Sequence, residues 1–458
     1  GQMSNILLID FGSTYTKLTA VDTVTESVLG TSQSYTTVES DILNGYENAL
    51  SELRKQIGSI VFDKRIACSS AAGGLKMVAV GLVPELTSKA ARLASLGAGA
   101  KVIKTYSYEL TKSDLEEIDS SRPDICLLCG GTDGGNKEVI IHNANMLAKS
   151  NGRFPIVYAG NRNAADECAE ILASKQCIVC SNVMPRLGIT DSAPVQKVIR
   201  EIFLTQIVKA KGLSKAQDLV GGILMPTPSA VLAAMKLLSK GTEREDGIGE
   251  LVAVDLGGAT TDVYSMCNGH PTNPMTTLRG LKEEYAKRTV EGDIGMRYSI
   301  RGILDASSLY EISTISGLSE ELCIEKINHL ASNTDELPTT EEDQNLDVAL
   351  ACIAVRTAVA RHAGRIEEYY TPMGISYVQT GKDLGAVETI IETGGALVRT
   401  GYAEKIGQFA LYSPKDPMSL RPKKAKILTD RKYILAAMGL LSTEYPEVAL
   451  HIMKKELV

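Results

Sequence analysis

Two aspartates, Asp10 and Asp255, each close a run of branched apolar residues and enter a turn of glycine and small hydroxyl residues. The segments are ILLIDFGSTYTKL (Ile6 to Leu18) and LVAVDLGGATTDVYSM (Leu251 to Met266), one design written twice. A turn of this type suits one kind of chemistry. Glycine lets backbone N–H groups approach an anion closely, and Ser13, Thr14, Thr260 and Thr261 can add hydroxyl donors. An aspartate at the strand end can hold a hydrated cation that bridges phosphates, which makes Asp10 and Asp255 the candidate metal ligands. A single copy would read equally well as ordinary turn chemistry. Two copies, each entered from an apolar strand and left through a second one, point to phosphate, and the duplication predicts two similar lobes closing on one nucleotide.

Lobes of that kind need a large α/β chain. At 458 residues the sequence exceeds a single core and predicts two to four compact units, and a hydrophobic fraction of 44% can fill them. No apolar run approaches the ~18 residues of a membrane span, and no charged-then-apolar leader opens the sequence. The expectation is a cytoplasmic protein with no membrane partner. A net charge of −7, with no Lys/Arg-rich block carrying interleaved aromatics, gives no general attraction to nucleic acid. Nine cysteines, an odd number, argue for reduced thiols. Cys126 and Cys129, and Cys177 and Cys180, have the C-x2-C spacing of zinc sites. Each pair lies in an apolar run that reads as a buried strand, where residues three apart point to opposite faces, so core cysteine is the expected role. Cys129 is held open because it borders the Gly-rich turn CGGTDGG.

From about Gly74 to Pro185 short apolar runs alternate with amphipathic stretches: KMVAVGL, KVIKTY, DICLLCGG, PIVYAGN and QCIVCSN, with crossovers of ten or more residues between them. Five strands joined in that way predict a parallel sheet with helices on both faces, a flavodoxin-like unit. Downstream, Glu291, Gly292, Asp293 and Gly295 form a turn before a helix, and ALACIAVRTAVARHAGRIEEYY reads as one helix carrying Arg356, Arg361, His362 and Arg365, some of which could lie against adenine, with a solvated cationic face as the default. The stretch TDELPTTEEDQN (Thr334 to Asn345) reads as an acidic loop.

DFGSTYTK and DLGGATTDV, with Asp262 seven residues after Asp255, resemble the two phosphate motifs of the actin-like ATPases, the superfamily of sugar kinases and of the heat-shock chaperone ATPase domain. PTPSAVLAAMKLL (Pro226 to Leu238) is similar to the first connecting helix, IIETGGALV (Ile390 to Val398) to the strand and Gly-Gly turn that contacts adenosine, and YILAAMGLLS (Tyr433 to Ser442) to the second connecting helix. The resemblance implies an α/β fold, an actin-like ATPase of two ribonuclease H-like lobes with an inserted flavodoxin-like parallel-sheet domain. Its expected segments are 1–73 for the first part of lobe I, 74–185 for the insert, 186–245 for the return to lobe I with the connecting helix, and 246–458 for lobe II with a helical subdomain at about 277–350. It implies ATP and Mg²⁺ as cofactors. Asp10, Asp255 and Asp262 would be catalytic, and Gly12, Ser13, Thr14, Lys17, Gly257, Gly258, Thr260 and Thr261 would bind phosphate. Glu291 and Gly292 would lie near the nucleotide, and Gly394 and Gly395 would contact adenosine. Where chaperone relatives place a glutamate before the proline of the first connecting helix, this sequence has Met225, which implies slow hydrolysis and a switch rather than a metabolic kinase.

The insert resembles the cobalamin-binding domain of adenosylcobalamin mutases in strand rhythm and length, yet GLVPELTSK stands where the D-x-H-x-x-G signature would present a histidine to cobalt. With VEGDIGMR, CGGTDGG and NVMPRLGITDSAPV, the whole chain is similar to the accessory proteins of adenosylcobalamin-dependent glutamate (methylaspartate) mutase. That implies an ATPase that helps the mutase subunits discard damaged cobalamin. A homodimer stays open. So do three other readings: a small-molecule kinase, an iron-sulfur activator of a dehydratase using Cys129, and an actin-like filament.

Overall fold

The computed structural model describes residues 4–12, 14–36, 42–70, 74–207 and 223–457. The chain divides into two compact units, residues 1–233 with 436–444 and residues 234–435 with 445–458.

In the first unit, β1 (Asn5–Phe11) forms a hairpin with β2 (Tyr15–Asp22), which pairs in turn with β3 (Ser27–Tyr35). On its other side β1 runs parallel to β4 (Lys64–Ser69), and β4 runs parallel to β10 (Ile223–Pro226). The order is β10-β4-β1-β2-β3. Ile6 to Ile9 are fully buried because β1 is the central strand, covered on both faces. The helix Ile42–Ile57 packs Tyr46, Ala49, Leu50 and Leu53 onto the same core as Leu7, Ile9 and Phe11.

The second unit repeats this topology. The hairpin β11 (Leu251–Leu256) and β12 (Thr261–Met266) is extended by β14 (Ala286–Glu291) on one side and by parallel β17 (Thr389–Thr393) and β18 (Lys426–Thr429) on the other, in the order β14-β12-β11-β17-β18. Each sheet has three antiparallel strands followed by two parallel ones, entered through the same hairpin. This is the duplicated ribonuclease H-like lobe of the actin-like fold. A separate three-stranded sheet is built from β13 (Thr276–Arg279), β16 (Gly374–Thr380) and β15 (Arg365–Thr371).

The flavodoxin-like insert follows β4. Its strands β5 (Leu75–Val80), β6 (Ala100–Tyr106), β7 (Ile125–Leu128), β8 (Ile156–Tyr158) and β9 (Cys177–Val179) are all parallel, in the order β6-β5-β7-β8-β9. One face packs Met77, Leu127 and Cys129 against helix Pro84–Ser95, while the other packs Val78, Cys126 and Leu128 against helix Glu138–Ala148. Cys126 and Cys129 therefore belong to different cores, as do Cys177 and Cys180. All nine cysteines are free thiols, and burial pushes the Cys129 thiol up to about 12, with its S–H on Val80 O at 3.4 Å.

Four expectations need correction. Val195, Ile199, Ile202 and Phe203, expected in the return to lobe I after residue 185, complete the core of the inserted sheet; the helix Ala193–Ile202 is amphipathic and the sheet supplies its apolar partner. The helical subdomain expected at about 277–350 runs over 300–362 instead, because residues 276–279 and 286–291 are strands. The long helix is Glu341–His362 and does not continue through GRIEEYY. Gly364 ends it in close contact with β16, where a Cβ would lie 2.6 Å from Thr380 O, and the β-branched and aromatic residues after it pair as β15. The acidic stretch at 334–345 is a loop only up to Thr340, whose hydroxyl accepts from Asp343 N at 3.1 Å and caps that helix, with Glu341, Glu342 and Asp343 favourably placed in its first turn. Among the described residues no helix is long and apolar enough to cross a membrane.

Candidate functional site

The two hairpin turns share a hydrogen-bond scheme. Gly12 N donates to Tyr15 O at 3.0 Å, and Gly257 N donates to Thr260 O at 3.0 Å, three residues on in each case. In the second hairpin the amides of Gly258, Ala259 and Thr260 donate to no acceptor among the described residues. Their carbonyl side is fixed from outside: Met296 N donates to Gly257 O, and Arg297 N and Tyr298 N to Gly258 O, at 2.9 to 3.0 Å. Three consecutive open amides on a braced, exposed turn form a ready anion cradle. A Cβ on Gly258 would come no closer than 3.7 Å to Tyr298, so the fold itself tolerates a side chain there.

Asp10, at the end of β1, is half-buried. Thr227, the first residue of helix Thr227–Lys240, donates its hydroxyl to Asp10 Oδ1 at 2.7 Å, and the Cys68 thiol reaches the same oxygen at 3.6 Å. Burial raises the Asp10 pKa, and Lys17, Thr227 and Cys68 partly offset it. Lys17 is the register partner of Asp10 across the hairpin. The aspartate is thus oriented through one oxygen, leaving Oδ2 without a protein donor among the described residues, which suits a hydrated cation. Thr227 and Cys68 were missed from sequence. Thr227 lies 217 positions from Asp10, and only the parallel pairing of β1, β4 and β10 brings the three together.

In the second hairpin Asp255 and Asp262 face each other in register. Asp255 is half-buried beside Thr393 of β17. Asp262 is already paired, with Arg288 Nη2 at 2.7 Å and Nε at 3.2 Å, so its expected catalytic role meets a guanidinium in place. Thr261 is a correction: its side chain is fully buried and its hydroxyl donates to Ile294 O at 2.9 Å, because it starts β12 on the core-facing side. Thr14 is exposed and Thr260 half-buried; Ser13 lies outside the described residues. Glu291 is held by Arg361 at 2.9 Å, and the same guanidinium grips Asp293 at 2.6 and 3.0 Å, so the turn containing Gly292 is a closed ion-pair network.

Gly394 has φ +98°, and a Cβ there would strike Leu256 O at 2.3 Å, so glycine is required for β17 to turn beside β11. Gly395 then opens the short helix Gly395–Arg399. His362, expected on a solvated face, is fully buried, bonded to Thr289 Oγ1 at 2.7 Å and Ser265 Oγ at 2.6 Å, and burial holds it neutral, well below the usual histidine range.

The profile of the family described as MutL protein matches residues 6–457. Protein MutL of Clostridium tetanomorphum is 49% identical over 466 aligned residues, covering 100% of both chains. Among solved structures, nucleotide-free acetone carboxylase aligns with 96% of this chain and 70% of its own, at 11% identity and a TM-score of 0.43. Xylulose kinase from Bifidobacterium adolescentis aligns with 98% and 93%, at 13% identity and a TM-score of 0.32. These two likenesses are too remote to carry chemistry across. A profile match over nearly every residue, with near-half identity from end to end, means that the chain belongs to the MutL protein family.

Proposed function

We propose that this chain is an ATP-dependent reactivating factor for an adenosylcobalamin-dependent mutase, glutamate (methylaspartate) mutase or a related aminomutase, and that it promotes the exchange of damaged cobalamin. The observation that carries the nucleotide part is the hairpin turn built twice with one hydrogen-bond scheme, open amides in the second copy and an oriented aspartate in the first. The open amides of Gly258 to Thr260 receive phosphate oxygens, and Thr260 adds a hydroxyl. Asp10 in the first unit and Asp255 in the second are the residues that would hold hydrated Mg²⁺, and the ion would supply positive charge against the phosphates. Thr227 keeps Asp10 in one rotamer. No glutamate replaces Met225 in β10 to position a water, so turnover is slow, as a switch requires.

Membership in the MutL family, together with the flavodoxin-like insert, supports the mutase as partner. The insert is not loosely tethered to the first lobe: a Cβ on Gly99 would meet the Phe203 ring at 2.7 Å and Pro226 at 3.0 Å, and Pro226 immediately precedes Thr227. A shift of Asp10 therefore has a packed route to the insert. A conformational change can drive the partner only through contacts that differ between states, and the insert is where we place them.

The test is reactivation. Mutase inactivated with damaged cofactor should regain activity when this protein, ATP, Mg²⁺ and fresh adenosylcobalamin are added, and should stay inactive when ATP is omitted. Recovery without ATP would remove the switch, and no recovery with any aminomutase would remove the partner.

A further inference from the structure

A groove of about 590 Å³ opens in the second unit, where the end of helix Glu341–His362, the start of β15 and the loop 413–421 meet. Five cationic side chains line it, Arg356, Arg361, Arg365, Lys415 and Arg421, against one carboxylate, Asp416. Three of the arginines are already balanced. Arg356 pairs with Glu311 at 2.6 Å, Arg361 with Asp293 at 2.6 Å, and Arg365 with Asp416 at 2.9 Å.

Arg421 is not balanced. It is 3% exposed, and among the described residues its buried Nε has no hydrogen-bond partner and no carboxylate lies within ion-pair distance of it. Burial, with the like charges of Arg356 and Arg365 nearby, holds its pKa below the usual arginine range despite Asp416. A guanidinium keeps its proton at any ordinary pH, so the cost of burying it is offset by an anion rather than by deprotonation. Lys415 has no ion-pair partner among the described residues either, and Ser413 and Thr357 bring hydroxyls to the same wall. None of the hairpin residues lines the groove. Its volume falls within the range of small-molecule sites, enough for two phosphate groups and an organic substituent.

We infer that this groove is a second anion-binding site, separate from the hairpins, and that it takes a small diphosphate-bearing molecule between buried Arg421 and Lys415.

Calorimetric titration of the full chain with pyrophosphate, in EDTA and at low ionic strength, tests this. The expected result is one metal-independent site whose affinity falls as salt is added. Lys415→Glu, at the groove rim, should weaken it by roughly tenfold or more. Arg421→Met should abolish it and leave the ligand-free chain at least as stable, because the variant removes an unbalanced buried charge. A structural arginine would instead lose stability. ADP in EDTA, titrated into the Gly258→Val chain so that the hairpin adds no signal, tells the two sources of the diphosphate apart: equal affinity assigns the diphosphate alone, and tighter binding assigns a nucleotide. The site is refuted if wild-type chain gives no pyrophosphate heat, if either variant binds as well as wild type, or if Gly258→Val removes the signal and so assigns it to the hairpin.

Discussion

Asp10 is the residue on which most of the proposed chemistry turns, and its neighbours set how it can be tested. Asp10→Asn keeps the hydrogen bond geometry near Thr227 but removes the charge that favours a hydrated cation. ATP hydrolysis should fall to background while the melting curve stays close to wild type, and wild-type turnover in this variant would sink the assignment. Thr227→Val is nearly isosteric and removes the 2.7 Å bond to Oδ1 together with the weaker 3.7 Å contact to the Cys68 sulfur. Where Thr227 acts through Asp10, turnover should drop about tenfold, ~1.4 kcal/mol, with nucleotide affinity largely retained. An unchanged turnover number would show that Asp10 needs no support. Gly258→Val makes a third case. A Cβ at 258 meets nothing closer than Tyr298 at 3.7 Å, so loss of ATP binding with an unshifted melting temperature would report the ligand rather than the fold. Binding at wild-type strength would move the phosphate away from this turn.

Among the elements, β17 carries the least expected group. Glu392 sits fully buried between β11 and β18, both carboxyl oxygens lack a hydrogen-bond partner among the described residues, and burial, with Glu404 adding, pushes its pKa up to about 8. The folded chain therefore keeps a proton that the unfolded chain releases at the ordinary value of 4.5. The group favours folding most below that value, and its contribution is lost as pH rises through the window up to about 8, at about 1.4 kcal/mol per pH unit. Glu392→Gln removes this dependence. Urea midpoints of wild type and variant between about pH 5 and about pH 8 should diverge with that sign, the wild type losing ground as pH rises. Parallel curves would mean that the carboxyl is solvated or paired.

For the whole molecule, the inserted sheet decides how the partner hypothesis is tested. Its core includes Val195, Ile199, Ile202 and Phe203, so a deletion ending at Pro185 would strand an apolar helix, and the excision that respects the packing runs over about residues 74–203. That chain should still bind ATP and should fail to reactivate the mutase; reactivation without the insert would end the idea that it is the working surface. The only histidine in the insert, His142, is hydrogen-bonded through Nε2 to Leu110 O at 2.9 Å and lies on a helix rather than after β5. Titration of the intact protein with cobalamin should therefore give no histidine-ligated cobalt spectrum. Observation of one would refute the reading of the insert as a shape without its cofactor.

Whatever depends on neighbours along the chain could be read from the residues in order. The two Asp-Gly hairpins, the five-strand rhythm of the insert and the Gly-Gly turn after β17 were legible because strand alternation, crossover length and turn chemistry are local properties. Tertiary structure alone decided what happens when distant strands share an edge. Parallel pairing of β1, β4 and β10 put Thr227 and Cys68 on Asp10, antiparallel pairing of β12 and β14 put Arg288 on Asp262, and the turn after β14 put the Ile294 carbonyl on Thr261, withdrawing one expected phosphate ligand and adding two unexpected neighbours of the aspartate. Burial likewise made a core residue of His362 and left Arg421 Nε without a hydrogen-bond partner among the described residues. Charge and periodicity are written residue by residue, but desolvation depends on which other segments cover a side chain, and that is fixed only when the sheets close.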